Sequence, residues 1–224
     1  MKKTFIILLT SAIQFLLSNV GFSQTTHLHL VLNAVSTNFD YGKSKDQLQS
    51  FKKRVVGAQL GVSFQAGITP RFSVVPELYL IMKGGSLKSD NPITQNESTL
   101  RLYVLELPVL ARFHFGKLYL NAGPYISYNM VGRMNIEGSN TMAEKSTNVG
   151  FDNSATGFKR WDSGAQVGAG YFFNLKKSRL AVDVRYCYGL TNISNDVERY
   201  NRLLNISLIV SRPWKKNPFA RKTN

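Results

Sequence analysis

The sequence predicts an all-β fold, a transmembrane antiparallel up-and-down β-barrel of about eight strands. Three observations lead there. About eight segments alternate apolar and polar residues, which gives each strand one greasy and one polar face. The gaps between these segments are by turns short and long. The chain opens on a basic, then apolar, then small-residue stretch of the kind that directs export, and it has no other long apolar run. A soluble sandwich would bury the greasy faces in a core, but it has no reason to sort loop length by end. A membrane barrel turns the greasy faces to lipid and the polar faces to the lumen, with short turns on one side and long loops on the other.

Residues 1–23 read as a signal peptide. Met1-Lys2-Lys3 is its basic region, 4–17 its apolar stretch, and Gly21 and Ser23 fill the small-residue positions before a cut ahead of Gln24. The barrel domain is expected over residues 24–214 and a basic tail over 215–224. The first strand covers about residues 27–37, with Leu28, Leu30, Leu32 and Ala34 on its apolar face. The second, about 54–66, is the clearest: Val56, Ala58, Leu60, Val62 and Phe64 oppose Gly57, Gln59, Gly61, Ser63 and Gln65. In the third, about 71–83, Phe72, Val74, Pro76, Leu78, Leu80 and Met82 oppose Ser73, Glu77, Tyr79 and Lys83. In the fourth, about 99–115, Tyr103, Leu105, Leu107, Val109 and Phe113 oppose Glu106, Arg112 and His114.

The fifth strand, about 118–131, sets Leu118, Leu120, Ala122, Ile126 and Met130 against Asn121, Gly123, Ser127 and Asn129. The sixth, about 161–173, sets Ala165, Val167, Ala169, Tyr171 and Phe173 against Asp162, Gly164, Gln166, Gly168 and Gly170. The seventh, about 179–190, sets Leu180, Val182, Val184, Tyr186 and Tyr188 against Asp183, Arg185 and Gly189. The eighth, about 200–211, sets Leu204, Ile206, Leu208 and Val210 against Asn205 and Ser207. Residues 67–70, 116–117 and 174–178 are then tight turns, while 38–53, 84–98, 132–160 and 192–199 are longer and polar. An even strand number places both chain ends on the short-turn side, which is periplasmic in such barrels.

The formal charge of the 224 residues is +15, with a pI of about 10.0, and loss of Lys2 and Lys3 with the signal lowers the charge by two, to +13. Export argues against nucleic acid as the partner of this charge. Outer-membrane lipid and lipopolysaccharide phosphates, or an acidic protein, fit better. Cys187 is the only cysteine, so neither a lipidated N-terminus nor an internal disulfide is available.

The lumen face collects Glu77, Glu106, Asp162 and Asp183 with Arg112 and Arg185, and with Gln59 and Gln166; Arg71, Arg101 and Arg179 are placed there too. A barrel of about eight strands is just wide enough for side chains to fill it, so these charges must pair. Glu106 is expected to find its cation among the inward arginines. The network is read as a polar plug that fixes register; a filled lumen offers no cleft for acid–base work by Glu77 and Glu106. No catalytic residue, metal site or cofactor is expected: His27 and His29 share a strand face but lack a third ligand. Phe72, Phe113, Phe115, Tyr119, Tyr171, Phe173 and Trp214 cluster beside the tight turns and read as an interfacial girdle.

Four phrases resemble the small outer-membrane β-barrel proteins of Bacteroidetes often called PorT-like. They are Pro76-Glu77-Leu78-Tyr79-Leu80 with Lys83-Gly84, Tyr103-Val104-Leu105-Glu106-Leu107-Pro108-Val109-Leu110, Asn121-Ala122-Gly123-Pro124-Tyr125, and Asp162-Ser163-Gly164 with Gly168-Ala169-Gly170. The resemblance spans about residues 25–214 and implies an outer-membrane barrel that meets the barrel assembly machinery. Such barrels usually end on an aromatic residue. Here a basic tail follows Trp214, and Arg212, Lys215, Lys216, Arg221 and Lys222 form a candidate surface for membrane phosphates or a periplasmic partner. The expected role is a structural or interaction scaffold with extracellular loops. The alternatives are a component or assembly factor of a secretion or gliding apparatus, and a narrow channel or small-ligand carrier.

Overall fold

The computed structural model describes residues 27–138, 143–174 and 179–211. The signal peptide, Trp214 and the basic tail lie outside the described residues. Ten strands run in chain order: β1 His27–Asp40, β2 Lys52–Lys53, β3 Val55–Thr69, β4 Phe72–Leu87, β5 Ser98–Phe115, β6 Leu118–Ile136, β7 Lys145–Asn148, β8 Trp161–Asn174, β9 Arg179–Gly189 and β10 Tyr200–Ser211. Eight of them are long, and each pairs antiparallel with its neighbours around a ring. The ring closes where β1 pairs β10, with Leu30 opposite Val210 and Asp40 opposite Tyr200. Closure leaves no sheet edge to satisfy in lipid.

Burial alternates along every long strand, but with the chemistry of a soluble protein inverted. Leu30, Leu32, Leu60, Leu80, Val167 and Ile206 point out and are exposed, whereas Gln59, Glu77, Glu106, Asp162 and Arg185 point in and are buried. Only a nonpolar solvent rewards that arrangement. The short turns β3–β4 and β5–β6 share one end. The long connections, including β2, β7 and a single helical turn α1 at Lys45–Leu48, share the other.

The strands overrun the expected bounds at the long-loop end, where β4 continues to Leu87 and β6 to Ile136. Gly84-Gly85-Ser86 carry too little side chain to show a parity, so the alternation fades while the ladder continues through Gly84↔Arg101 and Ser86↔Thr99. A bulge at Met130 shifts the β5–β6 register between Tyr103↔Val131 and Val104↔Asn129, and leaves Met130 and Val131 both facing out. Prolines interrupt the ladders without changing register: β4–β5 pairing runs to Pro76↔Val109 and resumes at Tyr79↔Glu106.

Inward glycines on β8 make room for bulky neighbours. A Cβ on Gly170 would lie 2.2 Å from the Tyr119 ring, and one on Gly164 would lie 2.6 Å from the Tyr125 ring. Tyr119 therefore occupies the lumen, fully buried, and not the girdle; its odd-numbered parity with Asn121 already required this. Phe72 and Phe113 do pair on the outside with centroids 5.0 Å apart, as do Tyr171 and Phe173 at 4.9 Å. A second aromatic group at the other end includes Tyr128 and Trp161, 5.0 Å apart, with Tyr103 and Tyr188 also facing out.

Candidate functional site

The polar residues of the lumen fall into two linked clusters at different depths. Toward the long-loop end, Lys83 of β4 forms ion pairs with Glu106 of β5 and, at 3.5 Å, with Asp162 of β8. Gln166 donates to Glu106 (2.7 Å), and Asn201 (2.8 Å), Tyr125 (3.3 Å) and Ser127 (3.4 Å) donate to Asp162. The Lys83 ammonium also sits 4.7 Å from the centre of the Tyr125 ring. All three charged groups are about 1% exposed. The partner of Glu106 is thus a lysine and not one of the arginines. Lys83 is on the polar face of its strand in the sequence, and a lysine stem is long enough to reach across an eight-strand lumen to Glu106 and Asp162.

Toward the short turns, the Arg185 guanidinium pairs with both oxygens of Glu77 and, at 2.5 Å, with Asp183. Asn121 bridges Asp183 (2.8 Å) to Arg112, whose Nε donates to Asn121 at 2.8 Å and whose Nη1 donates to Gln65 at 3.0 Å. Arg112 also stacks on Tyr119, 4.3 Å from its ring centre. Gln65 and Ser73 continue the chain to His114, whose Nε2 is 2.9 Å from the Ser73 hydroxyl. Gln59 is buried in the wall, and its Oε1 has no partner among the described residues.

Two arginines assigned to the lumen lie elsewhere. Arg101 shares the outward parity of Tyr103, and Arg71 is exposed in the β3–β4 turn. Arg179 does face the lumen mouth, with its guanidinium 3.9 Å from the Phe172 ring centre.

Above the upper cluster the lumen turns apolar. Phe39, Leu100, Leu102 and Leu203 from the strands pack with Leu48, Phe158 and Ile193 from the long connections into one buried cluster. The loops are therefore folded into the barrel mouth. Arg199 anchors them: it pairs with Asp196, donates to Ser194 Oγ at 2.6 Å, and lies over the rings of Tyr41 and Phe158. Burial acts to raise the Asp196 carboxyl, but the hydrogen bond and charge of Arg199 outweigh it, and the group is held below its usual pKa of 3.8. Burial raises the Tyr41 phenol above 10.0 despite Arg199. In the β4–β5 loop Asn91 is fully buried; its amide donates to Lys88 O (2.7 Å) and Asn96 O (2.9 Å), and its oxygen accepts from Ile93 and Thr94 N–H. The sequence marked this loop only as long and polar.

A closed ring of outward-apolar strands around a paired polar lumen defines a membrane-spanning β-barrel. The model of the outer membrane protein beta-barrel domain family matches residues 19–195, and the chain belongs to that family. The described barrel continues past that match, since β10 closes it at Ser211.

Among solved structures the chain is similar to Ail, the attachment invasion locus protein of Yersinia pestis, determined with the heparin analogue sucrose octasulfate. The identity is 11% over 85% of this chain and 100% of that one, with a TM-score of 0.43. Neisserial surface protein A is similar at 12% identity over 85% and 100% of the two chains, TM-score 0.43. OprG of Pseudomonas aeruginosa is similar at 11% identity over 84% and 95%, TM-score 0.38. No curated protein sequence matches the chain.

Proposed function

We propose that this outer-membrane barrel is a closed scaffold that presents ordered extracellular loops to lipid or protein partners, with no transport and no catalysis. The observation that carries the reading is the filling of the lumen at successive depths. Tyr119 and Phe172 pack near the short turns, the two ion clusters follow, and an apolar plug made partly of loop side chains seals the long-loop end. A conduction path or carrier cavity would have to break buried ion pairs. In planar bilayers the refolded protein should show no steady conductance above the lipid baseline. Stable open channels in the wild-type protein would overturn the reading.

The orientation belongs to the same proposal, with long loops outside the cell and short turns in the periplasm. Single cysteines at Gln47, Ser89 and Asn148, all exposed at the long-loop end, should label on intact cells, and one at Thr69 should not. The native Cys187 is buried in the wall and should stay silent.

The finer kinship, with PorT-like barrels of Bacteroidetes, is supported by the four strand phrases. Their residues are scaffold: Glu77, Glu106 and Asp162 are members of the ion clusters, and Gly164, Gly168 and Gly170 make room for Tyr125, Arg185 and Tyr119. They argue for a shared architecture, and a secretion or gliding role does not follow from them. The basic tail is proposed to lie near anionic phosphates or a periplasmic partner.

A further inference from the structure

On the outer wall, Arg101 of β5 and Arg133 of β6 stand directly opposite each other in the ladder. They lie one outward position above the Tyr103↔Val131 pair. Like charges directly opposite on a sheet repel and cost stability. Neither arginine has an ion pair or side-chain hydrogen bond among the described residues. Arg54, beside β3, is a further outward cation but reaches the other way, donating to the Ser36 hydroxyl of β1 at 3.3 Å. Glu97, further up this hairpin, does not answer them, since it is taken by Lys53 at 2.6 Å. Across the ladder from Arg101 stands Gly84, which carries no side chain to pair with it.

Below the arginines the wall is concave. Val56, Ala58, Leu80, Met82, Tyr103 and Met130 line an apolar groove of about 540 Å³ on the outward face. It exists because Ala58 is small where the neighbouring strands carry Leu80, Met82 and Tyr103 on the same outward face. The depth of the arginines follows from the strand. From Tyr103 to Phe113, the outward aromatics of β5, is ten residue steps. At about 3.3 Å per residue and a tilt of about 40°, that run projects to about 25 Å, the height of the apolar band of such barrels. Arg101 and Arg133 therefore lie just beyond hydrocarbon, at headgroup level, on the long-loop side.

We infer that Arg101 and Arg133 bind the phosphate of a phosphorylated glycolipid of the lipopolysaccharide type, with one of its acyl chains seated in the groove over Ala58. A phosphate between two guanidiniums turns their repulsion into charge-assisted hydrogen bonds. The groove beneath selects a lipid over a free anion. The inference rests on the proposed orientation only for naming the outer leaflet; the binding itself is tested in detergent, where orientation plays no part.

The protein, refolded in phosphate-free nonionic detergent, is titrated with bisphosphorylated lipid A, the same lipid with both phosphates removed, and inorganic phosphate. Binding is read by native mass spectrometry, and folding of every variant is verified by heat-modifiable gel migration. Wild type should bind the bisphosphorylated lipid at least tenfold more tightly than R101Q/R133Q, and the difference should vanish with the dephosphorylated lipid. Ala58→Leu, which fills the groove and leaves the arginines in place, should weaken the lipid severalfold and leave the salt dependence unchanged. Equal lipid affinity of wild type and R101Q/R133Q would overturn the site. Inorganic phosphate that binds as tightly as the lipid, or a groove variant that binds as wild type does, would overturn the lipid as occupant.

Discussion

At one depth of the lumen a single lysine, Lys83, faces two carboxylates, Glu106 and Asp162; toward the short turns Arg185 faces two others, Glu77 and Asp183, with Arg112 tied in through Asn121. The lower cluster balances two cations against two anions. The upper one carries an excess carboxylate and leans on neutral donors, with Asn201, Tyr125 and Ser127 all aimed at Asp162. The cations also differ in kind. A guanidinium offers a planar fork that holds Glu77 by two bonds, whereas an ammonium is a point charge that can be shared. Two solutions to the same burial problem thus sit in one lumen, and they should fail differently.

The largest expected effect is that of Lys83→Met. It removes the one cation of the upper cluster among the described residues and leaves two buried carboxylates without that counter-charge. Breaking a buried pair typically costs about 3–5 kcal/mol, and this variant should lie at the top of that range. Urea unfolding in lipid vesicles, followed by gel migration, measures it. Arg185→Met should fall in the same range but below it, because Arg112 stays in its network. Equal losses would mean that Arg112 does not share the charge of Glu77 and Asp183, and the contrast between the clusters would collapse.

A smaller effect separates pairing from packing. Glu106→Gln keeps the shape and an acceptor for Gln166, while Lys83 retains Asp162. The upper cluster then becomes neutral, so the loss should be about 1 kcal/mol, the worth of one ordinary hydrogen bond. A loss as large as that of Lys83→Met would show that Glu106 alone holds the lysine, and that Asp162 depends on its neutral donors.

How much of this could be read in the sequence depends on which solvent enforces the pattern. Inside the membrane, lipid and lumen select opposite side chains at every step, so strand number, strand faces and the inward set from Gln59 to Arg185 were legible. Partners were not. Parity says that Glu106 points in, but not that the nearest cation rises from β4, because that depends on the stagger between strands. Arg101 faces out and not into the lumen, because it shares the parity of the outward Tyr103 two residues on. Beyond the membrane the two-sided selection ends. The extensions of β4 and β6, the short strands β2 and β7, and the inward folding of Leu48, Phe158 and Ile193 left no period to detect.

The smallest expected effect concerns an ion pair at the water's edge, which serves as the reference for the two clusters in the lumen. Arg199 and Asp196 close the β9–β10 loop, and Asp196 is partly open to solvent, with 28% of its side chain exposed. Its carboxyl is held below its unfolded value of 3.8 in spite of burial, by Arg199 and the Ser194 hydroxyl. A group with a depressed folded pKa contributes its stability above the unfolded value, and loses it as pH falls through the folded one. The loop should therefore be tight at pH 7 and open progressively below about pH 4. Hydrogen exchange over residues 190–199 should rise in that window while the amides of β9 and β10 keep their protection. Asp196→Asn should reproduce the acid state at neutral pH, with little change in the unfolding midpoint, since solvent at Asp196 screens the pair and the loop lies outside the strand ladders. If β9 and β10 lose protection together with the loop, the cap and the barrel are one cooperative unit, and the apolar plug at the mouth contributes to holding the strands closed.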